Sequence, residues 1–432
     1  MRELRLRFGK TQQQIAEEAG VDIRTYRKYE TGEVGNCAEK SLKASQYEFL
    51  RNVAAVYDLD GGPEELIEGA GQHVANAAAG DPLTTNFFSP IRYVHRPSEE
   101  AQAARRLERA GTPLLVQAPE RFGATRFVGY VVNRAREEGR VTTIRCNLSR
   151  MVPRAAAAGQ PLLQALAEHL LQRRFPDGEG NEQRLRALRS LPTTERGRLS
   201  WTLEQHILSR DEQLLLTLER ADVGLHPAQR EELFRVLRSL LAASHRPPWQ
   251  RLRLLLTVTT EPTLLAPNDP SSFWADAAPI RLGDFTADQV QQMAILEGTP
   301  SPPCVSALMH WLGGHPYLLR LALHAAQERD TDTAVLLADP TMRRCVFEHH
   351  LLHLRRELEN SPGLLKRLTE IATHASTHLS IPDYSSLHSK GLVVEVAPGR
   401  VAMRCRLYRE YFAQLDAGHS TTQPESSAPI AQ

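Results

Sequence analysis

Three short, nearly continuous apolar runs restrict what this chain can fold into. They are TPLLVQA from residue 112, EQLLLTLERAD from residue 212 and RLRLLLTVTT from residue 251. Runs of this length without polar alternation are strands buried on both faces, and such strands occur in parallel sheets covered by helices. Segments of helical period lie between them. TRFVGYVVNRAREEG follows the first run and leads to a further strand, VTTIRCNL, and PAQREELFRVLRSLLAAS separates the other two runs. Strand–helix–strand order predicts a parallel α/β sheet.

A length of 432 residues accommodates two to four domains. Residues 1–57 have helical period. Residues 61–90 are rich in Gly, Ala, Asn and Pro, which reads as a short helix and a linker. After residue 285 the pattern is mostly helical, with a hairpin-like LVVEV-APGR-VAMRC near residue 391 and a polar tail, GHSTTQPESSAPIAQ, expected to be disordered.

Lysine plus arginine (52) nearly cancels aspartate plus glutamate (51), so a nucleic-acid site must be local. The five cysteines, Cys37, Cys146, Cys304, Cys345 and Cys405, are scattered and odd in number. That argues against a disulfide framework or a zinc site and fits a reducing compartment. The opening MRELRLRFGK is charged, and no apolar run is long enough to span a bilayer. The expectation is a soluble cytoplasmic protein without membrane contact.

KTQQQIAEEAGVDIRTYRKYETGE has the makings of two helices joined by a tight turn. Thr11 with Gln14 forms a capping box, Gly20 supplies the turn, and Asp22 caps the next helix, where Tyr26 and Tyr29 fall on the buried side. Ile23, Arg24, Thr25, Arg27 and Lys28 are left outward. Arg2-Glu3-Leu4-Arg5, Thr11-Gln12, Ile15-Ala16, Ala19-Gly20-Val21 and Arg27-Lys28-Tyr29-Glu30 with Gly32 resemble the Xre/Cro-like repressors. The resemblance implies that Gln12 meets phosphate and that Ile23, Arg24 and Lys28 face bases, with Thr25 and Arg27 on the same DNA-binding helix. Arg24 suits guanine, whose major-groove edge offers two acceptors to a guanidinium fork. Ten basic against eight acidic residues in 1–57 give this segment little net attraction for DNA, so a homodimer or larger assembly is expected on double-stranded DNA. The connection EVGNCAEKSLKASQYEF is longer and more polar than that family's.

A P-loop reads G-x-x-x-x-G-K-[ST] after a strand. Here Ala118-Pro119-Glu120-Arg121-Phe122-Gly123-Ala124-Thr125-Arg126 follows PLLVQ. Gly123 and Thr125 are retained, Ala118 replaces the first glycine and Ala124 the lysine. In LLLTLERAD the aspartate that would orient magnesium reads as Leu218 and the water-positioning glutamate as Glu219, with Asp222 beyond. Thr259 and Thr260 stand where a γ-phosphate sensor would sit. Tyr93 with Arg96-Pro97, Pro279-Ile280-Arg281-Leu282 with Asp284-Phe285-Thr286, Leu312-Gly313-Gly314-His315-Pro316-Tyr317-Leu318, and Arg404-Cys405-Arg406-Leu407-Tyr408 with Tyr411-Phe412 resemble the AAA-like ATPases of the STAND group, known from multi-domain bacterial proteins. The resemblance implies a nucleotide site at Pro119, Gly123, Ala124, Thr125 and Arg126, with Pro316 near the adenine. A lysine–phosphate pair is worth about 4 kcal/mol at an effective dielectric of about 20, so its loss predicts little or no hydrolysis and at most weak ATP binding, with Glu219 vestigial. Arg121 and Arg126 are the cations near enough to replace part of that charge.

Helix, short helix, hairpin and helix over 363–412 read as a winged-helix order, basic through Lys390, Arg400, Arg404, Arg406 and Arg409. His349 and His353 in EHHLLH share a helix face but lack a third ligand at metal-site spacing, so no metal is expected. The expected fold is multi-domain: an all-α helix-turn-helix domain (1–70), a linker (71–90), an α/β P-loop-like domain with degenerate motifs (91–285), a helical lid (286–355), a winged-helix-like domain (356–416) and a disordered tail (417–432). The expected function is sequence-specific DNA-binding regulation, with a pseudo-ATPase platform for oligomerisation or an unidentified protein partner, and no required cofactor. An ATP-dependent switch, and an interaction protein whose helix-turn-helix contacts protein, remain alternatives.

Overall fold

The structure is a computed structural model that describes residues 11–13, 16, 23–31, 93–139, 141–175, 179–208, 212–223, 225–265, 278–297, 304–374 and 377–419. They fall in two compact units, Met1–Phe87 and Phe88–Gln432.

In the first unit Gln12, Gln13 and Ala16 are helical, and helix α1 spans Ile23–Thr31. Tyr26 is buried, as its place on the helix predicts, and so is Ala16. Gln14, Gly20 and Asp22, the linker and the tail after residue 419 lie outside the described residues.

The second unit is built on a five-stranded sheet: β1 (Leu114–Gln117), β2 (Val141–Asn147), β3 (Gln213–Glu219), β4 (Leu252–Val258) and β5 (Ile280–Arg281). The order is β2-β3-β4-β1-β5 and every pairing is parallel. Successive side chains of a strand point to opposite faces. Leu114, Val116, Leu215 and Leu255 therefore pack with α2 (Pro97–Leu107) and α3 (Ala124–Glu138) on one side. Leu115, Leu214, Leu216, Leu218, Leu254 and Leu256 enter the opposite core. That core is closed by α4 (Leu148–Ala157), α5 (Leu162–Arg174), α6 (Glu179–Ser190), α7 (Glu195–Thr202) and α8 (Pro227–Ala242). Both faces are covered, which is why the strands read as unbroken apolar runs. The four helices between β2 and β3 were not anticipated from the sequence.

A helical group follows: α9 (Ala287–Glu297), α10 (Val305–Leu312), α11 (Pro316–Glu328), α12 (Thr333–Ala338) and α13 (Pro340–Glu359). Proline at the first position starts α11 and α13, where its missing N–H costs nothing. The Asp339 carboxylate caps α13 by accepting from the amides of Thr341 (2.7 Å) and Met342 (3.1 Å). Then come α14 (Pro362–Thr373), β6 (Thr377–His378), α15 (Ile381–Ser389), β7 (Val393–Ala397), β8 (Arg400–Met403) and α16 (Arg406–His419). These strands form a second, antiparallel sheet of order β6-β8-β7, and Gly399 turns the hairpin at φ 71°. One apolar core joins the helical group to this C-terminal subdomain.

Candidate functional site

The loop from Ala118 to Gly123 leaves the end of β1 and enters α3. Gly123 caps that helix in the left-handed region, φ 84° and ψ 19°. A Cβ at this position would meet nothing within 4 Å, so the backbone angle and not space calls for glycine. Ala124, Thr125 and Arg126 form the first helical turn, half-buried, and Pro119 is buried behind them.

Within the loop one amide and three side chains meet other parts of the chain, and a second amide bonds within the loop itself. The Glu120 amide donates to the Ser389 carbonyl at 2.7 Å, and the Phe122 amide to the Pro119 carbonyl at 3.3 Å. Phe122 is fully buried, with its ring centroid 4.5 Å from that of His315 and the Arg404 guanidinium 4.7 Å over its face. Arg121, one of the two cations expected to compensate for the missing lysine, lies 4.5 Å over the ring of Tyr317. The Glu120 carboxylate is 3.5 Å from the guanidinium of Arg220.

The acidic strand corrects the sequence reading by one residue. Leu218 is fully buried in the core on the side away from α3. Strand alternation places Glu219 on the α3 side, beside the loop's own helix. The carboxylate facing the loop helix is thus Glu219, and the residue after it is Arg220. Glu219 is 2% exposed and accepts from Arg145 Nε on β2 at 2.7 Å, with Nη2 of the same guanidinium 2.5 Å away as an ion pair. Asp222 is also engaged: its Oδ2 accepts from the Thr259 amide (2.8 Å), the Thr259 hydroxyl (3.0 Å) and the Thr260 amide (2.7 Å). Further along the edge Glu261 binds Gln117 (2.9 Å) and Arg281 (2.6 Å). Side-chain pairs within the chain staple the C-terminal edge of the sheet.

Against this edge stands the start of α11. Gly314 (φ 82°) accepts at its carbonyl from the Phe285 amide at 2.8 Å, and a Cβ there would lie 2.4 Å from the Phe285 carbonyl oxygen. Pro316 is buried at the first helical position and His315 is 1% exposed. Burial, with Arg404 and Arg121 adding to it, pushes the His315 imidazole down to about 3. His350 on α13 makes a 2.8 Å hydrogen bond with the Tyr408 hydroxyl, and burial first, then nearby cations, pushes it down to about 2. Arg404 bonds Asp284 at 2.7 Å and donates to the Val393 carbonyl at 2.9 Å.

In the N-terminal unit Arg24, Arg27 and Lys28 are exposed on α1 and Ile23 is half-buried. Arg27 Nε donates to Gln12 Oε1 at 3.2 Å, which brings the expected phosphate contact beside the expected reading helix. Thr25 is helical.

By sequence the helix-turn-helix family matches residues 1–35, and the AAA-like domain family matches residues 84–414. The chain belongs to the AAA-like domain family. Among solved structures the AAA-like domain is similar to a Walker-type ATPase of Pyrococcus abyssi, with 15% identity over 74% of this chain and 96% of that one and a TM-score of 0.52. It is also similar to the ORC2 protein of Aeropyrum pernix (14% identity, 75% and 95% covered, TM-score 0.41). A third is a STAND signal-transduction ATPase with a tetratricopeptide repeat sensor from Pyrococcus horikoshii (13% identity, 75% and 42% covered, TM-score 0.33). At 15% identity the likeness to the Pyrococcus abyssi ATPase shows the fold alone. No curated protein matches the sequence.

Within the AAA-like domain the sequence did not reveal Arg145, Ser389 or the packing of Phe122. The one signal available was an aromatic residue inside a phosphate-loop pattern. Of the basic residues near the C-terminus, Lys390 pairs with Glu357 (2.8 Å), Arg404 is buried and Arg406 pairs with Glu410 (2.8 Å). His349 and His353 are exposed, and His353 pairs with Glu357 at 3.3 Å. Among the described residues no group of three or more His, Cys, Asp or Glu is placed to hold a metal, Cys146, Cys304, Cys345 and Cys405 form no disulfide, and no helix is long and apolar enough to cross a membrane.

Proposed function

We propose that this chain is a sequence-specific DNA-binding regulator whose AAA-like domain is a non-hydrolysing platform. The observation that carries the first half is α1. Its Tyr26 is buried while Arg24, Arg27 and Lys28 stand outward, with Arg27 bonded to Gln12. A helix held by Tyr26 and offering cations outward suits the major groove, Ile23, Arg24 and Lys28 toward bases and Gln12 toward phosphate. One such reader covers few base pairs, so the acting species is a homodimer or larger, in the cytoplasm.

The second half rests on the loop and the acidic strand. A magnesium nucleotide needs a lysine, open loop amides and unpaired carboxylates. The residues at Pro119, Gly123, Ala124, Thr125 and Arg126 do not fit that group. Ala124 has no charge, the Glu120 amide is bonded to Ser389, Phe122 fills the loop's inner side, and Glu219 is neutralised by Arg145. The platform then serves assembly or a protein partner.

The order β6-β8-β7 with α14, α15 and α16 supports a winged-helix-like reading of the C-terminal subdomain. Its inner helix, IPDYSSLHS, carries no lysine or arginine and its last carbonyl meets the loop, which favours a clamp over a second DNA contact.

The test is selection of bound sites from a random duplex pool, followed by affinity against salt. Enrichment of one motif and a salt-dependent affinity are expected. A chain that enriches nothing favours protein contact by the helix-turn-helix. Steady phosphate release from ATP favours the switch.

A further inference from the structure

We propose that the loop after β1 has become an internal clasp that holds the C-terminal subdomain closed on the sheet without nucleotide. The inference rests on reading the site as non-hydrolysing.

Three contacts made by the loop carry it. The Glu120 amide, of the kind that cradles phosphate in a working loop, donates instead to the last carbonyl of α15, at Ser389. Phe122 is fully buried against His315, which caps α11, and beneath Arg404, which follows β8. Gly391, just after α15, is the third. It adopts φ +76°, and a Cβ there would come 2.8 Å from Phe122 Cε2. The connection between α15 and β7 is therefore shaped around the Phe122 ring. A dianionic phosphate and this apolar ring cannot share the position.

Arg404 fastens the clasp from the other side. Its guanidinium covers Phe122, bonds the Asp284 carboxylate and reaches the Val393 carbonyl, so its charge is used within the chain. Arg404 Nε, Asp284 Oδ1, His315 Nδ1 and His350 Nδ1 are buried at this seam and make no hydrogen bond within the described residues.

Hydrogen exchange by mass spectrometry on the full-length chain tests the clasp. Without nucleotide, peptides covering 119–123 and 387–393 are expected to be protected, and ATP with Mg²⁺ is expected to leave that pattern unchanged. Phe122→Ala should speed exchange in both peptides by roughly tenfold or more while β4 stays as in wild type. Free-peptide rates at 119–123 in the nucleotide-free wild type would overturn the proposal, as would protection that arises only with ATP. So would a folded Phe122→Ala variant with unchanged exchange at 387–393. Should Phe122→Ala not fold, Phe122→Leu keeps an apolar plug without the ring, and it should raise exchange in the same two peptides by a few-fold. Identity with wild type would then count against the clasp. ATP turnover by a wild type still protected without nucleotide defeats the non-hydrolysing reading alone, and loss of protection without turnover defeats the clasp alone.

Discussion

The guanidinium of Arg145 on β2 holds the carboxylate of Glu219 on neighbouring β3, Nε to Oε1 at 2.7 Å. The carboxylate is almost fully buried and the guanidinium about one-fifth exposed. On the non-hydrolysing reading proposed above, this carboxylate serves an ion pair instead of metal or water. Removing one partner strands the other, so Glu219→Leu should cost about 3 kcal/mol, at the low end for a buried pair because Arg145 is partly solvated. Arg145→Met combined with Glu219→Leu should recover most of that loss. Urea unfolding of both variants decides it, and a single Glu219→Leu as stable as wild type would refute a structural role.

On the DNA side Arg24→Ala and Lys28→Ala should each weaken binding to a selected site by about 1–3 kcal/mol and relax the base preference. Gln12→Ala should weaken specific and nonspecific binding alike, since a phosphate contact carries no sequence. Arg27→Ala should behave like Gln12→Ala, because Arg27 is bonded to that glutamine. Competition titrations with selected and scrambled duplexes separate the two classes. Unaltered specificity in both Arg24→Ala and Lys28→Ala would end the base-reading assignment.

The sheet was legible because its strands are buried on both faces, and PLLVQ, LLLTL and LRLLLTV cannot be placed elsewhere. Gly123 was legible because only the start of a helix after such a strand calls for it. The frame of the acidic motif was not. A linear pattern puts Leu218 and Glu219 side by side, while the sheet sends one to each face, and only the pleat decides which meets α3. The plug was hidden for another reason. Phe122 gains meaning from Ser389, Gly391 and Arg404, more than 250 positions away along the chain, and no local period records contacts of that span. Helix α5 escaped notice because it is buried nearly all round and shows little amphipathic contrast.

Acid should destabilise the AAA-like domain through its buried imidazoles. Burial holds His315 at about 3 and His350 at about 2, well below an unfolded imidazole at about 6.5. Arg404 and Arg121 face the first; Arg121, His315, His353 and His349 act on the second. Both imidazoles are neutral in the folded chain, so between pH 6.5 and the folded values the unfolded chain binds more protons. Their stability is complete above pH 6.5 and falls with pH below it, by roughly 1.4 kcal/mol per unit for each imidazole. His388, held at about 4 mainly by burial, pulls the same way. Denaturant midpoints at pH 7.5, 6.5 and 5.5 should show this slope, and His315→Gln should make it shallower. A slope identical in wild type and variant would show that His315 already titrates normally when folded.

The strongest test of the loop reading is to rebuild what it lacks. Ala124→Lys restores a charge worth about 4 kcal/mol against phosphate at an effective dielectric of about 20, but only if phosphate can reach it. On the proposed clasp, Phe122 buried in the loop and the Glu120 amide bonded to Ser389 keep phosphate out. Ala124→Lys alone, or with Arg220→Glu behind Glu219, should therefore leave ATP binding near the wild-type level. Adding Phe122→Ser removes the ring and opens the amides, and this triple variant should bind ATP at least about tenfold more tightly than the double, a gain of about 1.4 kcal/mol. Calorimetry measures the affinities, and circular dichroism confirms that each variant is folded. If Ala124→Lys with Phe122 intact binds as tightly as the triple variant, the ring does not obstruct the loop in solution. If the wild type already releases phosphate from ATP and Glu219→Gln abolishes it, Arg145 has not disarmed the carboxylate and the site is an ATPase.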